Sequence, residues 1–508
     1  MAPHQKIKAL QELASILDEH RQNGKKIVHC HGVFDLLHIG HIRYLQNAAA
    51  LGEVLIVTLS PDKFVDKGIN RPAFEEQLRA EAIASLDCVH YVAVNKWQTA
   101  EETLRLLRPD FYVKGAEFRD TSSDMTGKIA KEEQVVNEIG GKLAFIDDIV
   151  FSSTNLINRY LSNLPEEVQA YLNLFRRRHN LDEVLQVLDN MSTLKVLVVG
   201  DTILDEYQYC STLGISSKDP MLALQYQNHD LFAGGILAVA NHIADFAGSV
   251  HMVTTLGTKN SRENFIQSQL HSGVTSKYFY HPEGPTLVKR RFVDSYSLNK
   301  LFEIYEMDDT GLPEAIDKEF CSYIAEKAPL YDLVLVADYG HGTISKNLID
   351  VLCEKSRFLA VNIQANAGNR GFNTIRKYPR ANYVCIAEHE MRLEMRNLHD
   401  TLRPMMETLA QEIDVQKFVV TLGKKGCLVT DTEKRFVKVP AFAQQAVDRV
   451  GAGDTFLSVT ALAACMSVDN EVLGFIGNVV GAAAVATIGN KKSVDRMSTK
   501  KQIAALMK

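Results

Sequence analysis

The stretch HGVFDLLHIGHIRYL, His31–Leu45, sets two histidines around one glycine directly after the apolar run KKIVHC. An apolar run followed by a helical pattern predicts a strand giving way to a helix near Ile39, with His38, Gly40 and His41 at the helix entrance. Backbone amides point outward there, the helix dipole favours an anion, and glycine lets a phosphate approach the main chain. Two imidazoles at that point can donate hydrogen bonds to charge that grows in an in-line displacement.

The pattern continues outward. EVLIVTLS, a helix through AFEEQLRAEAIASL, VHYVAV, a helix through AEETLRLL, FYVKG and KLAFID alternate strand with helix. Alternation of this kind predicts parallel strands with crossover helices, hence a doubly wound α/β sheet with its ligand at the strand carboxyl ends. LKVLVVGD at Leu194 opens a second α/β unit whose strands recur in LVLVADYG, RFLAVNI, ANYVCIA and KFVVTLG. Its last part, GAGDTFLSVTALAACMS and LGFIGNVVGAAAVATIG, reads as tightly packed buried helices of small residues. The expected organisation is a first domain over 1–162, a helical linker over 163–192 that carries Arg176, Arg177 and Arg178, and a second domain over 193–508.

With 508 residues, the chain exceeds one ordinary core of about 150 residues. Hydrophobic residues at 46% and charged residues at 23% exclude a disordered chain. A formal charge of -6 supplies no global basic field, so neither nucleic acid nor an anionic membrane is an expected partner. The eight cysteines contain no CxxC pair, which suits a reducing compartment. No apolar run nears the roughly 18 residues of a membrane span. A cytoplasmic location is therefore expected.

GVFDLLHIGHIRYL resembles the HxGH signature of the cytidylyltransferase-like nucleotidylyltransferases. The wider KKIVHCHGVFDLLHIGHIRYLQNAAALG is similar to the corresponding half of the bifunctional heptose-phosphate kinase/nucleotidylyltransferases, with glycerol-3-phosphate cytidylyltransferase as a neighbouring relative. NRPAFEEQLRAEAIASL, DFYVKGAEF and FSSTNLINRY resemble later landmarks of the family, in order. The resemblance implies that His38 and His41 contact nucleotide phosphates and that Lys114 offsets their charge. It places Gly32, Phe34, Asp35, Gly40, Arg79, Ser152, Ser153 and Thr154 around the nucleotide, Asp35 shaping the loop. HIGH also occurs in class I aminoacyl-tRNA synthetases, but this sequence shows no KMSKS-like loop and no anticodon-binding extension.

In DRVGAGDTFLS, successive small residues expose amides that can hold a transferring phosphoryl group, and a carboxylate at the helix entrance can take a proton from an attacking hydroxyl. The second domain resembles the PfkB, or ribokinase-like, sugar kinases through VGDTILDEY, AGGILAVANHIADFAG, VADYGHGT, TLGKKGCLV and GPTLVKRRFV. That resemblance implies Asp454 as the general base and Gly451, Ala452 and Gly453 as the anion hole. It puts Asp205, Gly234, Gly235, Lys289 and Arg291 on the sugar, and Thr421, Gly423 and Gly426 beside the nucleotide. Glu390 would act on Mg²⁺ indirectly, through its water shell.

Three departures stand out. Ala238 and Ala387 occupy positions where the family carries asparagine, and VNIQANAGNRGF lacks the family's Asp-Pro-Lys order. The order of domains is also the reverse of the heptose enzymes. Both halves together imply a bifunctional enzyme of nucleotide-activated sugar synthesis that uses ATP, a second nucleoside triphosphate (CTP or ATP) and Mg²⁺ on a sugar phosphate. A homodimer is the assembly expected by analogy. A second reading keeps one activity, a cytidylyltransferase for a polyol phosphate, with the kinase fold retained for binding or dimerisation. A third makes the chain a nucleotide-sensing scaffold whose role does not need His38 or Asp454.

Overall fold

A computed structural model describes residues 2–65, 71–116, 128–146, 164–308, 310–443 and 446–507. Ser152, Ser153 and Thr154 lie outside them. The chain forms two compact units, residues 1–163 with 501–508, and residues 164–500.

The first unit carries a five-stranded sheet of β1 (Ile27–Gly32), β2 (Val54–Leu59), β3 (Tyr91–Val94), β4 (Phe111–Gly115) and β5 (Lys142–Ile146) in the order β3-β2-β1-β4-β5. Every pairing is parallel. A parallel strand is covered on both faces, which is why β2 reads as an unbroken apolar run and is buried throughout. Strand order steps outward from β1 to β3 and then returns to place β4 on the other side of β1. That reversal opens the crevice at the carboxyl ends of β1 and β4, where Gly32 and Lys114 sit.

The second unit is built on β6 (Lys195–Ile215), β7 (Leu222–Gly235), β8 (Ser249–Lys259), β9 (Val274–Pro285), β10 (Val288–Asp294), β11 (Lys300–Glu306), β12 (Leu333–Asp338), β13 (Leu359–Ile363), β14 (Ala381–Ala387), β15 (Val415–Thr421), β16 (Cys427–Asp431) and β17 (Val437–Val439). Strand β6 serves two sheets. Its first part, Lys195–Asp201, pairs in parallel with β8, and Val196–Gly200 pairs in parallel with β12, inside the central sheet. From Thr202 onward it pairs antiparallel with β7 and, from Leu204, in parallel with β10, which in turn carries β11. This four-stranded outer ribbon is half exposed, whereas β12 is buried throughout.

The helices Ala452–Cys465 and Asn470–Val485 are buried along most of their length, as their small residues predict. The stretch read as a linker is helical over Glu166–Arg178 and Leu181–Asn190. It is nevertheless docked on the second unit, because Val168, Leu172 and Phe175 form a buried face and the Phe175 ring stacks on Phe475 at 4.2 Å. Arg178 closes the contact with Glu471 at 3.2 Å.

Candidate active sites

In the first unit the loop after β1 turns at Phe34, which takes the left-handed φ of 46° and packs edge-on against His41 at 5.2 Å. Gly32 leaves room for that ring, since a Cβ there would stand 3.0 Å from it. Asp35 is buried and turned inward, pairing with Arg71 at 2.5 Å and accepting the Ala73 amide at 2.6 Å. These bonds tie the loop after β1 to the segment that carries Arg71 and Ala73.

His38 caps the helix Ile39–Ala49 with its own side chain, Nδ1 accepting the Gly40 amide at 3.1 Å. A backbone N–H only donates, so Nδ1 carries the lone pair and neutral His38 holds its proton on Nε2. That Nε2 is buried with no hydrogen-bond partner among the described residues. Burial pushes the His38 pKa below the ordinary imidazole value. The His38 and His41 rings stack at 3.9 Å, a spacing that disfavours charging both. His38 thus presents a proton donor with no acceptor among the described residues. Lys114, at the end of β4, is held by Glu132 at 2.7 Å and lies 4.9 Å over the Tyr112 ring.

Arg79 is a correction. Its guanidinium is buried and donates to the carbonyls of Phe74 at 2.9 Å, Ser60 at 2.9 Å and Val33, and to Asp62 at 2.5 Å. It braces the loops after β1 and β2, each of its guanidinium nitrogens donating to protein. The histidines of β1 went unassigned in the sequence, yet His29 Nε2 at 2.7 Å and His31 Nδ1 at 2.8 Å meet on the Thr58 hydroxyl, tying β1 to β2. Burial drives the His29 pKa down to about 3.

In the second unit Gly451 caps the helix Ala452–Cys465 at φ 81°, with no side chain on the helix amides. The left-handed backbone favours glycine, and no side chain caps the entrance; the Ala452 amide makes only a long bond to the Arg449 carbonyl at 3.4 Å. Asp454 follows in the first turn and accepts a hydrogen bond from the Tyr339 hydroxyl at 2.7 Å. Burial, opposed by that hydrogen bond, raises the Asp454 pKa to about 7; the charge of Asp205 adds to the rise and that of Lys289 opposes it.

Tyr339 is itself fixed. Its amide donates to Asp201 at 2.9 Å, and its carbonyl receives the Asn366 and Asn369 side chains at 2.8 and 3.0 Å. The asparagine-rich VNIQANAGNRGF segment, which departs from the family pattern, therefore serves as a brace behind the base. Tyr339 and Asp201 lay unassigned inside the motifs VADYGHGT and VGDTILDEY, because their partners come from distant segments.

Asp205 is buried on β6 and pairs with Arg291 of β10. Gly234 lies so close that a Cβ would stand 2.2 Å from Asp205 Oδ2, and Gly235 turns the chain into the helix Ile236–Ala244. Lys289 is buried, its Nζ 5.0 Å over the Tyr305 ring, and burial lowers its pKa. The structure thus brings together Asp205, Lys289, Arg291, Gly234, Gly235 and Asp454. A small cleft opens beside Asp201, lined by Thr202, Thr255, Thr286, His281 and His341. Burial takes the His341 pKa to about 4, so its imidazole is neutral.

Thr421 ends β15 opposite Ala387, and Gly423 begins the turn that Gly426 closes. Glu390 is buried, Oε1 receiving the Ala365 amide at 3.1 Å and Oε2 the Ala387 amide at 2.7 Å. No lysine or arginine pairs with it among the described residues, and burial raises its pKa to about 7. A carboxyl left short of positive charge suits a magnesium ion held through water. The described residues contain no group of three or more His, Cys, Asp or Glu side chains placed to hold a metal ion.

The pfkB family carbohydrate kinase profile matches residues 193–496, more than half of the chain. The chain belongs to the pfkB family. The Cytidylyltransferase-like profile matches residues 29–159. Among curated proteins, the Bifunctional protein HldE of Syntrophotalea carbinolica is 39% identical over 164 residues, 32% of each chain. The Bifunctional protein HldE of Geobacter metallireducens is also 39% identical, over 167 residues and 32% of each chain. These matches fall on the N-terminal part, so this chain spans about a third of the length of the relatives it matches. Phosphofructokinase-2 from Escherichia coli in complex with potassium superposes with a TM-score of 0.52 at 16% identity, over 63% of this chain and 100% of that one. Its tetrameric inhibited form gives a TM-score of 0.51 at 15% identity, over 62% and 100%. These likenesses establish the ribokinase-like fold of the second unit. No described helix is long and apolar enough to cross a membrane.

Proposed function

We propose that the chain is a bifunctional enzyme of nucleotide-activated sugar synthesis in the cytoplasm. The pfkB unit transfers the γ-phosphoryl group of ATP to a hydroxyl of a sugar phosphate, with heptose phosphate as the favoured acceptor. Asp454 takes the hydroxyl proton, the amides of Ala452 and Gly453 hold the moving phosphoryl group, and Arg291 and Lys289 meet the acceptor phosphate. Magnesium on the nucleotide would be oriented through water by Glu390 and supplies charge neutralisation. The N-terminal unit joins a nucleoside triphosphate to a sugar phosphate with release of pyrophosphate, and the sugar phosphate oxygen is the nucleophile. A homodimer is the expected assembly.

The observation that carries this reading is the His38 Nε2–H group, buried beside His41 at a helix entrance with no acceptor among the described residues. A phosphate oxygen is the acceptor that the position fits. The test is pyrophosphate release across ATP, CTP, GTP and UTP with heptose, hexose and polyol phosphates, repeated on His38→Ala. Release that needs one triphosphate and one phosphate and vanishes in the variant supports the transferase; equal release by both proteins overturns it.

Ala238 and Ala387 favour a second reading, a polyol-phosphate cytidylyltransferase with an impaired kinase. Against it stands the assembled cluster of Asp205, Arg291, Tyr339 and Asp454. Absence of ATP turnover with every sugar would decide for it.

A further inference from the structure

Asp448 opens the loop that ends at Gly451, ahead of the helix that carries Asp454, and its carboxylate collects four donors from four parts of the second unit. Oδ2 accepts the Tyr207 hydroxyl at 2.7 Å and the Gly489 amide at 3.0 Å; Oδ1 accepts the Val450 amide at 3.1 Å and Lys300 Nζ at 2.6 Å. Lys300 is the first residue of β11, so its charge arrives from the outer ribbon across 148 positions of sequence. The same ribbon carries Lys289 and Arg291 on β10. The Tyr207 ring lies between these elements, with Lys300 Nζ 5.2 Å and the Arg291 guanidinium 5.8 Å from its centroid. Arg291 in turn joins Asp205 on β6 and Glu303 on β11, the latter at 3.3 Å.

A single connected network therefore runs from the acceptor cations, over Tyr207, to the loop that sets the anion hole. The Asp448 carboxylate is nearly buried whereas Lys300 keeps about a third of its side chain exposed, 7% against 35%. The loop side of the pair is thus fixed by packing, and the ribbon side is the part able to detach. Nothing in the proposed chemistry uses Lys300.

We propose that Lys300 is a positioning residue for phosphoryl transfer, which ties the ribbon that reads the acceptor to the loop that holds the phosphoryl group. The proposal rests on the kinase reading given above. With the tie intact, the amides of Ala452 and Gly453 are aligned only while the ribbon is seated. Without it, ATP still binds and the acceptor still meets Lys289 and Arg291, but the two reactants lose their common frame. Loss of alignment without loss of contact lowers turnover more than binding.

The experiment compares wild type with K300M, K300Q and K300R in the full chain, using ATP and Mg²⁺ with ribose, fructose 6-phosphate and a heptose 7-phosphate as probes. The expected result is a fall in kcat of about 10- to 100-fold in K300M and K300Q, KM values within about threefold of wild type, and a larger share of ATP hydrolysed without acceptor. K300R, which keeps the charge and reach, recovers most of the turnover. Wild-type kcat in K300M, or a rise in KM alone, overturns the proposal. Hydrogen exchange of the 448–455 backbone is read in parallel. If wild type phosphorylates none of the probes, the kinase reading fails by itself, and exchange decides the tie: faster exchange in K300M and K300Q but not in K300R upholds it, and unchanged exchange overturns it. The second neutral variant and the exchange readout keep the test decisive if one substitution unfolds the unit.

Discussion

The helix entrances at His38 and Gly451 use one physical resource in opposite ways. At Ile39–Ala49 the cap is a side chain that occupies the helix's own Gly40 amide, so the group offered outward is the imidazole Nε2–H. At Ala452–Cys465 the cap is a bare left-handed glycine, so the groups offered are the amides themselves. The first arrangement suits an α-phosphate that stays bound while its bond partners change, because a side chain can follow charge. The second suits a phosphoryl group in flight, which needs rigid donors at a fixed point. A shared helix dipole does not imply a shared mechanism.

The harshest way to break the comparison is Asp454→Asn. It removes the proton acceptor while keeping shape, so phosphorylation in a coupled ATP assay falls by about 10³-fold with pyrophosphate release by the other unit untouched. His38→Ala is the converse, a loss of about 10²-fold in pyrophosphate release with the kinase intact. Tyr339→Phe sharpens the contrast through pH. Burial raises the Asp454 pKa to about 7, and the base works deprotonated, so kinase kcat falls as pH drops below that value. The Tyr339 hydroxyl opposes the rise, so its removal moves the acid limb to higher pH and lowers kcat at pH 7 by about tenfold. Burial lowers the His38 pKa below the ordinary imidazole value, so the acid limb of the transferase profile lies at lower pH than a free imidazole would place it. A pH–rate curve for each activity checks both statements.

Much of this was legible in the chain. Parallel strands buried on both faces announce themselves as apolar runs, which is why β2, β12 and β14 stand where EVLIVTLS, LVLVADYG and ANYVCIA place them. The second half of β6 did not announce itself, because DEYQYCSTLGI belongs to a half-exposed ribbon and carries no apolar run. The placements of His38 and Asp454 follow from local capping rules, whereas their supports do not. Tyr339 reaches Asp454 over 115 positions and Lys300 reaches Asp448 over 148, and no local pattern encodes such pairs. Arg79 misled for the reverse reason: an arginine in a polar helix looks outward until the carbonyls of two neighbouring loops are seen to surround it.

Strand β6 passes from the central sheet to the ribbon between Asp201 and Asp205 without a loop to absorb a change in length. Side chains alternate faces along a strand, so one residue inserted there leaves Lys195–Asp201 in place and turns every later side chain over. Asp205 would leave the acceptor and Tyr207 would leave Asp448 in a single event. Insertions and deletions, the changes by which surface loops commonly diversify, are closed to these few positions. Substrate preference in this unit can drift by substitution along the ribbon, but not by resizing its root.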